Sequence, residues 1–160
     1  MLYSRGANNN IGKPYNLNQT EICELTRVAL TKHKNNVSKI VSLSLMLLKR
    51  QSPKMKLIVS YADMNHGHLG IIYQAMNWIY VGSIKMDGVI LDGKRFHRRT
   101  IYSMFGFNSV EKLNNLGHKA KWDNGLSKHK YLYSLDNEMR KQIEPLRKPY
   151  PKKIHNAVIV

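Results

Sequence analysis

Residues 25–61 read LTRVALTKHKNNVSKIVSLSLMLLKRQSPKMKLIVSY, the pattern of a strand, a helix and a second strand. The first run is part of residues 20–30, apolar at Ile22, Leu25, Val28, Ala29 and Leu30. Its second half reads as a buried strand, although so short a run is also open to a helical reading. A polar break over residues 31–36 follows. Across residues 37–49 the apolar positions Val37, Ile40, Val41 and Leu48, joined by Leu43, Leu45 and Leu47, make a broad helical face. Asn35 or Asn36 suits the N-cap, Lys49 and Arg50 complement the C-terminal dipole, and Pro53 stands just past the end. Residues 56–61 (KLIVSY) form a short strand.

Residues 62–70 read as a loop carrying Asp63, His66 and His68, residues 71–77 as a short helix or turn, and residues 78–84 (WIYVGSI) as an alternating strand. Strand, helix, strand, helix, strand argues for an α/β layer with a partly parallel sheet. Ahead of this core, residues 3–18 are rich in Gly, Asn and Pro and read as loop. Behind it, Asp87-Gly88 and Asp92-Gly93 bracket Val89-Ile90-Leu91, a hairpin signature. A basic knot (RFHRR, 95–99), a short helix at 109–116, a strand at 128–135 (KHKYLYSL) and a helix at 137–147 complete the chain, with Pro149 and Pro151 opening a basic tail.

With 160 residues the chain has the length of one ordinary domain, divided into a loop (1–18), an α/β core (19–84) and a basic C-terminal part (85–160). Lys and Arg number 26 against 10 Asp and Glu, a formal charge of +16, and the mean hydropathy is −0.43. Such an excess favours a polyanionic partner, nucleic acid first among them. The lone Cys23 excludes a disulfide framework and a cysteine-rich zinc site, and reads as packing rather than as a nucleophile. No apolar run approaches the ~20 residues of a membrane span, and MLYSRGANNN has no apolar signal region.

Three regions could carry chemistry. Asp63 falls at the carboxyl end of a strand, where open α/β sheets bind ligands, with His66, His68 and Tyr73 close behind. These groups could transfer protons or hold a metal; equally, Asp63 could cap the next helix and the histidines be solvated. Gly67 and Gly70 flank His68 and permit positive φ or close approach to a ligand. The break before the helix, Lys32, His33, Lys34, Asn35, Asn36, Val37 and Ser38, joins positive charge to a helix N-terminus, a natural phosphate site or an ordinary solvated connection; lacking glycine, it is no P-loop. Arg27, inside an apolar run, requires a partner unless it lies on an open face. Finally, Arg95, His97, Arg98, Arg99, Lys128 and Lys130 lie among Tyr102, Phe105, Trp122, Tyr131 and Tyr133, a mixture suited to phosphates and stacked bases.

SRGANNNIGKPY (4–15), QTEICELTRVAL (19–30), SYADMNHGHLGIIYQAMNWIYVG (60–82), KHKYLYSL (128–135) and PLRKPYPK (145–152) together resemble phage proteins of the Mom type, divergent members of the GCN5-related N-acetyltransferase (GNAT) superfamily. The resemblance spans nearly the whole chain in order. It implies a GNAT-like mixed sheet flanked by helices, and a carbamoylmethyl group placed on the exocyclic amine of adenine in phage DNA as protection from host restriction. It implies acetyl-CoA as donor or cofactor, iron as a proposed requirement, and action in the host bacterial cytoplasm. LTRVAL would be the superfamily's fourth strand and KLIVSYAD its fifth, splayed from it with pantetheine between them, and residues 32–38 would cradle the pyrophosphate. By the same resemblance Asp63, Tyr73 and Arg27 match catalytic positions and His68 belongs to the motif; Asp63 with His68 and Tyr73 would then assemble a metal or an acid/base centre, His68 and Asp63 being the metal ligands in the first case. Two departures accompany it: the pyrophosphate loop lacks the usual glycines, and family members carry several dozen residues before SRGANN, so an N-terminally truncated fold is expected.

Adenine inside a duplex cannot enter a pocket, so a flipped or single-stranded base is expected. The competing readings are a non-catalytic nucleic-acid binder or inactive fragment, a metal-dependent nuclease using Asp63, His66 and His68, and an acetyltransferase acting on a small amine or a protein.

Overall fold

The computed structural model describes residues 1–6, 9–30, 36–85, 88–123 and 127–152. Two compact units divide the chain, one from Met1–Ser83 and His129–Val160, the other from Ile84–Lys128. In chain order the first begins with β1 (Leu2–Ser4), a 3-10 turn at Lys13–Tyr15, β2 (Ile22–Arg27), α1 (Val37–Gln51) and β3 (Leu57–Asp63). A second 3-10 turn (Met64–His66), α2 (Ile71–Ala75) and β4 (Ile79–Ile84) follow. The other unit holds β5 (Gly88–Leu91), β6 (Lys94–His97), α3 (Arg98–Phe105), α4 (Val110–Asn115) and β7 (Ala120–Asp123). β8 (Lys128–Ser134) and α5 (Asn137–Ile143) complete the first sheet and its cover.

The first unit is a five-stranded mixed sheet in the order β1-β2-β3-β8-β4, with helices, so the α/β class expected from the sequence holds. β2 and β3 run parallel, as the strand–helix–strand pattern requires, while β1 pairs antiparallel with β2. β3 is buried along nearly its whole length, which is why LIVS reads as a continuous apolar run rather than as an alternation. One face of the sheet (Cys23, Leu25, Ile58, Ala62, Trp78, Tyr80 and Tyr131) packs with Val41 and Leu45 of α1. The other (Ile22, Leu57, Val59, Ile79 and Leu132) packs with Ile11, Tyr15, Met139 and Ile143. Each such fully buried aliphatic side chain is worth roughly 1.5–3 kcal/mol relative to exposure.

Several expectations need correction. Residues 1–18 are not all loop: Leu2–Ser4 pairs with Arg27, Leu25 and Glu24, and Tyr3 Oη lies 2.6 Å from Ser44 Oγ on α1. A three-residue strand has no periodicity of its own; the open edge of β2 recruits it. The strand expected in the second half of residues 20–30 instead spans Ile22–Arg27, and Ala29 and Leu30 are exposed. The apolar face of α1 is narrower than its sequence suggests, because Leu43, Met46 and Leu47 point outward.

In the Ile84–Lys128 unit, β5 is the middle of a three-stranded antiparallel sheet, β6-β5-β7. Asp92 and Gly93 have φ of 48° and 81°, the two left-handed residues of a type I′ hairpin turn, as the Asp-Gly signal predicts. Val89, Leu91, Ile101 and Leu113 are buried together as this unit's own core. β6, α3 and β7 were not anticipated, since basic and aromatic residues mask their short apolar repeats.

Candidate active-site cleft

The parallel ladder of β2 and β3 runs from Ile22–Leu57 to Leu25–Ser60. Past that last pair, Thr26, Arg27 and Val28 on one side and Tyr61 and Ala62 on the other line a cleft of about 510 Å³. Its remaining wall is the segment from Gly67 to Tyr73, including His68 and Leu69. A cleft where two neighbouring parallel strands stop pairing is the geometry expected of LTRVAL and KLIVSYAD.

Ser60 sits at the fork and is fully buried. Its Oγ lies 2.7 Å from the Leu25 carbonyl oxygen and 2.7 Å from Tyr73 Oη. Ser60 is the donor toward both oxygens, its single proton serving the Leu25 carbonyl or the Tyr73 hydroxyl, and Tyr73 accepts from Ser60. Burial raises the Tyr73 phenol above its ordinary range; the Ser60 hydrogen bond offsets part of that rise, and the negative charge of Glu24 adds to it. Tyr73 is therefore a neutral phenol at physiological pH. Burial likewise pushes Tyr61 up to about 12 and Cys23 up to about 11, so Cys23 is a packing residue and not a thiolate.

The wall behind His68 is pinned from β8. The Tyr131 hydroxyl donates to the Leu69 carbonyl at 2.5 Å, and Gln74 Nε2 donates to the same oxygen at 2.8 Å. Gly67 and Gly70 both have positive φ, as their place beside His68 suggested. The close approach at Gly70 is to protein: a Cβ there would stand 2.5 Å from the Tyr131 ring. Ser60, Tyr131, Gln74 and Glu24 were all missed from sequence. The available signal was a polar residue inside an apolar strand, Ser in LIVSYA and Glu in ICELTR.

Of the expected catalytic residues, Arg27 and Tyr73 line the cleft together with His68, and Asp63 does not. Alternation along β3 does not account for the difference, because Tyr61, of the same parity as Asp63, lines the cleft together with Ala62. The Asp63 carboxylate faces His66, 3.7 Å from its Nδ1, and its backbone carbonyl accepts from His68 N–H at 3.1 Å. Arg27 is exposed at the end of β2, so it is an open-rim cation and not a strand-interior one.

For a metal, Asp63 and His68 do not make a centre. His66 and His68 rings are 5.8 Å apart, and among the described residues no group of three or more His, Cys, Asp or Glu is placed to hold an ion. Of the expected pyrophosphate segment, Lys32, His33, Lys34 and Asn35 lie outside the described residues. Asn36 is the N-cap of α1 through its backbone alone, without a side-chain hydrogen bond, and Val37 and Ser38 open the helix.

The basic residues are differently employed. Arg95 is ion-paired with Asp123, and His97 Nδ1 accepts from Arg99 N–H at 3.1 Å, capping α3. The Arg98 guanidinium lies 5.0 Å from the centre of the Trp122 ring, and Arg99 is exposed. Lys128 is half-buried at the start of β8. Lys130 is not a free surface cation: alternation along β8 places it over the Tyr15 ring at 5.2 Å, and burial lowers its pKa.

No helix among the described residues is long and apolar enough to cross a membrane. Comparison with curated proteins finds similarity to the methylcarbamoylase Mom of Escherichia phage Mu, 24% identical over 128 residues, covering 74% of this chain and 51% of that protein. The chain thus spans about half the length of that relative. A model of the Mom protein family matches residues 1–152, nearly the full sequence, and on that match the chain belongs to the Mom family.

Proposed function

We propose that this protein modifies phage DNA, as a GNAT-like transferase that places a carbamoylmethyl group on the exocyclic amine of adenine, protecting the DNA from host restriction. The observation that carries this reading is the cleft where β2 and β3 part, because it gathers Arg27, His68 and Tyr73 around one space. The name of the phage Mu relative supports the choice of reaction.

Each residue has a task that follows from its surroundings. Tyr73 accepts from Ser60, which leaves its own hydroxyl proton to be donated to a ring nitrogen of the adenine. His68 is the group in the cleft able to take a proton from that amine as it reacts. Arg27 offers a fixed charge to a phosphate at the rim. Asp63 acts from outside the lining, holding the His66–His68 turn. The adenine must enter flipped or from single-stranded DNA.

Acetyl-CoA is the proposed source of the carbon skeleton, and when bound it supplies an activated two-carbon unit. Because the product is joined to nitrogen through a methylene, simple acyl transfer does not account for the connectivity. The cleft is large enough for a pantetheine arm, and the first turn of α1, uncapped by the Asn36 side chain, suits a pyrophosphate. Residues 32–38 and the host cytoplasm complete the proposal.

Nucleoside mass spectrometry of DNA from cells expressing the protein tests it. Modified adenine is expected with the wild type and is expected to fall sharply with Tyr73→Phe and with Asp63→Ala; no modified adenine with the wild type sinks the reading. The second reading, a nucleic-acid binder without chemistry, is favoured by the charge of +16 and predicts DNA binding with every adenine unchanged.

A further inference from the structure

In the Ile84–Lys128 unit the register of the sheet sorts side chains onto two faces. Residues directly opposite one another in antiparallel strands point the same way. Val89 stands between Phe96 and Trp122, and Leu91 between Lys94 and Ala120. Val89 and Leu91 are buried with Ile101 of α3 and Leu113 of α4, so this is the face the two helices cover. The opposite face consists of two rows, Arg95–Ile90–Lys121 and His97–Gly88–Asp123. Arg95, His97 and Lys121 on it are exposed.

The rows are level across their middle. Asp123, the one carboxylate in them, is paired with Arg95, and the pair crosses β5 above Gly88. A Cβ at Gly88 would stand 3.1 Å from both Arg95 Nη2 and Asp123 Oδ2, so glycine keeps the passage open. Beside Ile90, Gly93 and Lys121 is a shallow cavity of about 360 Å³. The result is a narrow ribbon with Ile90 and Gly88 on its midline, Arg95 of one margin tied to Asp123 of the other, and His97 and Lys121 exposed at its two sides.

We propose that this open face of the β6-β5-β7 sheet is a docking surface for duplex DNA, gripping the phosphate backbone without reading sequence. Two strand spacings separate the margins by about 10 Å, a width that fits the ~12 Å major groove with Lys121 toward one phosphate row and the His97 imidazole toward the other. Single-stranded binding would call for aromatic platforms exposed on this face, and the register places Phe96 and the half-exposed Trp122 on the other one. The choice of DNA among polyanions rests on the function proposed above; the surface itself rests on register and charge.

The test uses the full chain, a short DNA duplex and fluorescence anisotropy across a salt series. Lys121→Glu is expected to weaken binding about tenfold and to lower the slope of log affinity against log salt by about one. His97→Asn, which retains a good N-cap for α3 while removing the imidazole, should weaken binding in the same direction and guards against a folding defect. Lys112→Glu makes the same charge change on α4, on the covered side, and should leave the slope nearly unchanged. Undiminished binding by Lys121→Glu, an equal loss with Lys112→Glu, or a preference for single strands overturns the proposal. Adenine modification is read separately: loss of duplex binding in Lys121→Glu without any modified adenine in the wild type upholds this surface and sinks the catalytic reading, and the reverse pattern does the opposite.

Discussion

Tyr73 Oη and Ser60 Oγ sit 2.7 Å apart at the point where the β2–β3 ladder ends, and Ser60 is the donor toward both Tyr73 and the Leu25 carbonyl. This small cluster does two things. It anchors α2 to the fork of the sheet, since Tyr73 is the middle residue of that five-residue helix. It also leaves Tyr73, a neutral phenol rather than a phenolate base, with its own proton to donate.

Removing Ser60 should therefore cost more than its size suggests. Ser60→Ala deprives both the Leu25 carbonyl and the Tyr73 oxygen of their donor, a loss of about 1–3 kcal/mol. Tyr73→Phe keeps the Ser60–Leu25 bond and should cost less, on the order of 1 kcal/mol. Urea unfolding of the two variants compares them, and a Ser60→Ala protein as stable as wild type would show that the cluster is not formed.

On activity the ranking reverses. Tyr73→Phe removes the hydroxyl assigned to the adenine and should nearly abolish adenine modification, whereas Ser60→Ala leaves the phenol in place without its Ser60 donor and should retain part of it. Nucleoside mass spectrometry under matched expression reads the difference. Full activity in Tyr73→Phe would take Tyr73 out of the chemistry.

The two glycines around His68 make a controlled comparison. Both have positive φ, 65° at Gly67 and 69° at Gly70, so alanine strains the backbone at each by about 1 kcal/mol. Gly67 has open space where a Cβ would go, but at Gly70 the Cβ meets the Tyr131 ring at 2.5 Å. Gly70→Ala should accordingly lower the melting temperature well beyond Gly67→Ala, because Tyr131 cannot withdraw without giving up Leu69. Equal shifts for the two variants would argue against the close packing of this wall.

How far the sequence foretold all this depends on the range of the interactions involved. The strand–helix–strand core was legible because Leu57–Ser60 is a buried run and Val37, Val41, Leu45 and Leu48 recur at helical spacing. The Asp92-Gly93 turn was legible because its conformation is local. Leu2–Ser4 and Ala120–Asp123 were not, since edge strands of three and four residues exist through partners twenty or more positions away. The cleft was legible in outline from two strands expected to diverge, but Asp63 was assigned to it from its position at a strand end. Its carboxylate faces His66 on the following turn instead, a contact known only from the fold.

His129 gives the chain a pH dependence of its own. Its ring is buried on β8, its Nδ1 lies 3.0 Å from Tyr80 Oη, and its Nε2 has no hydrogen-bond partner among the described residues. Burial lowers its pKa below the ordinary value of 6.5, so the folded protein keeps the imidazole neutral at acidities where the unfolded chain has already protonated. Between the folded pKa and 6.5 the unfolded state binds the extra proton, and stability falls as pH drops through that window while staying constant above it. His129→Gln retains a polar partner for Tyr80 without a titrating group, and its stability should change less between neutral pH and pH values just below 6. Denaturant unfolding of both proteins across that range measures the difference; parallel pH profiles would show that this imidazole is hydrated in the native state.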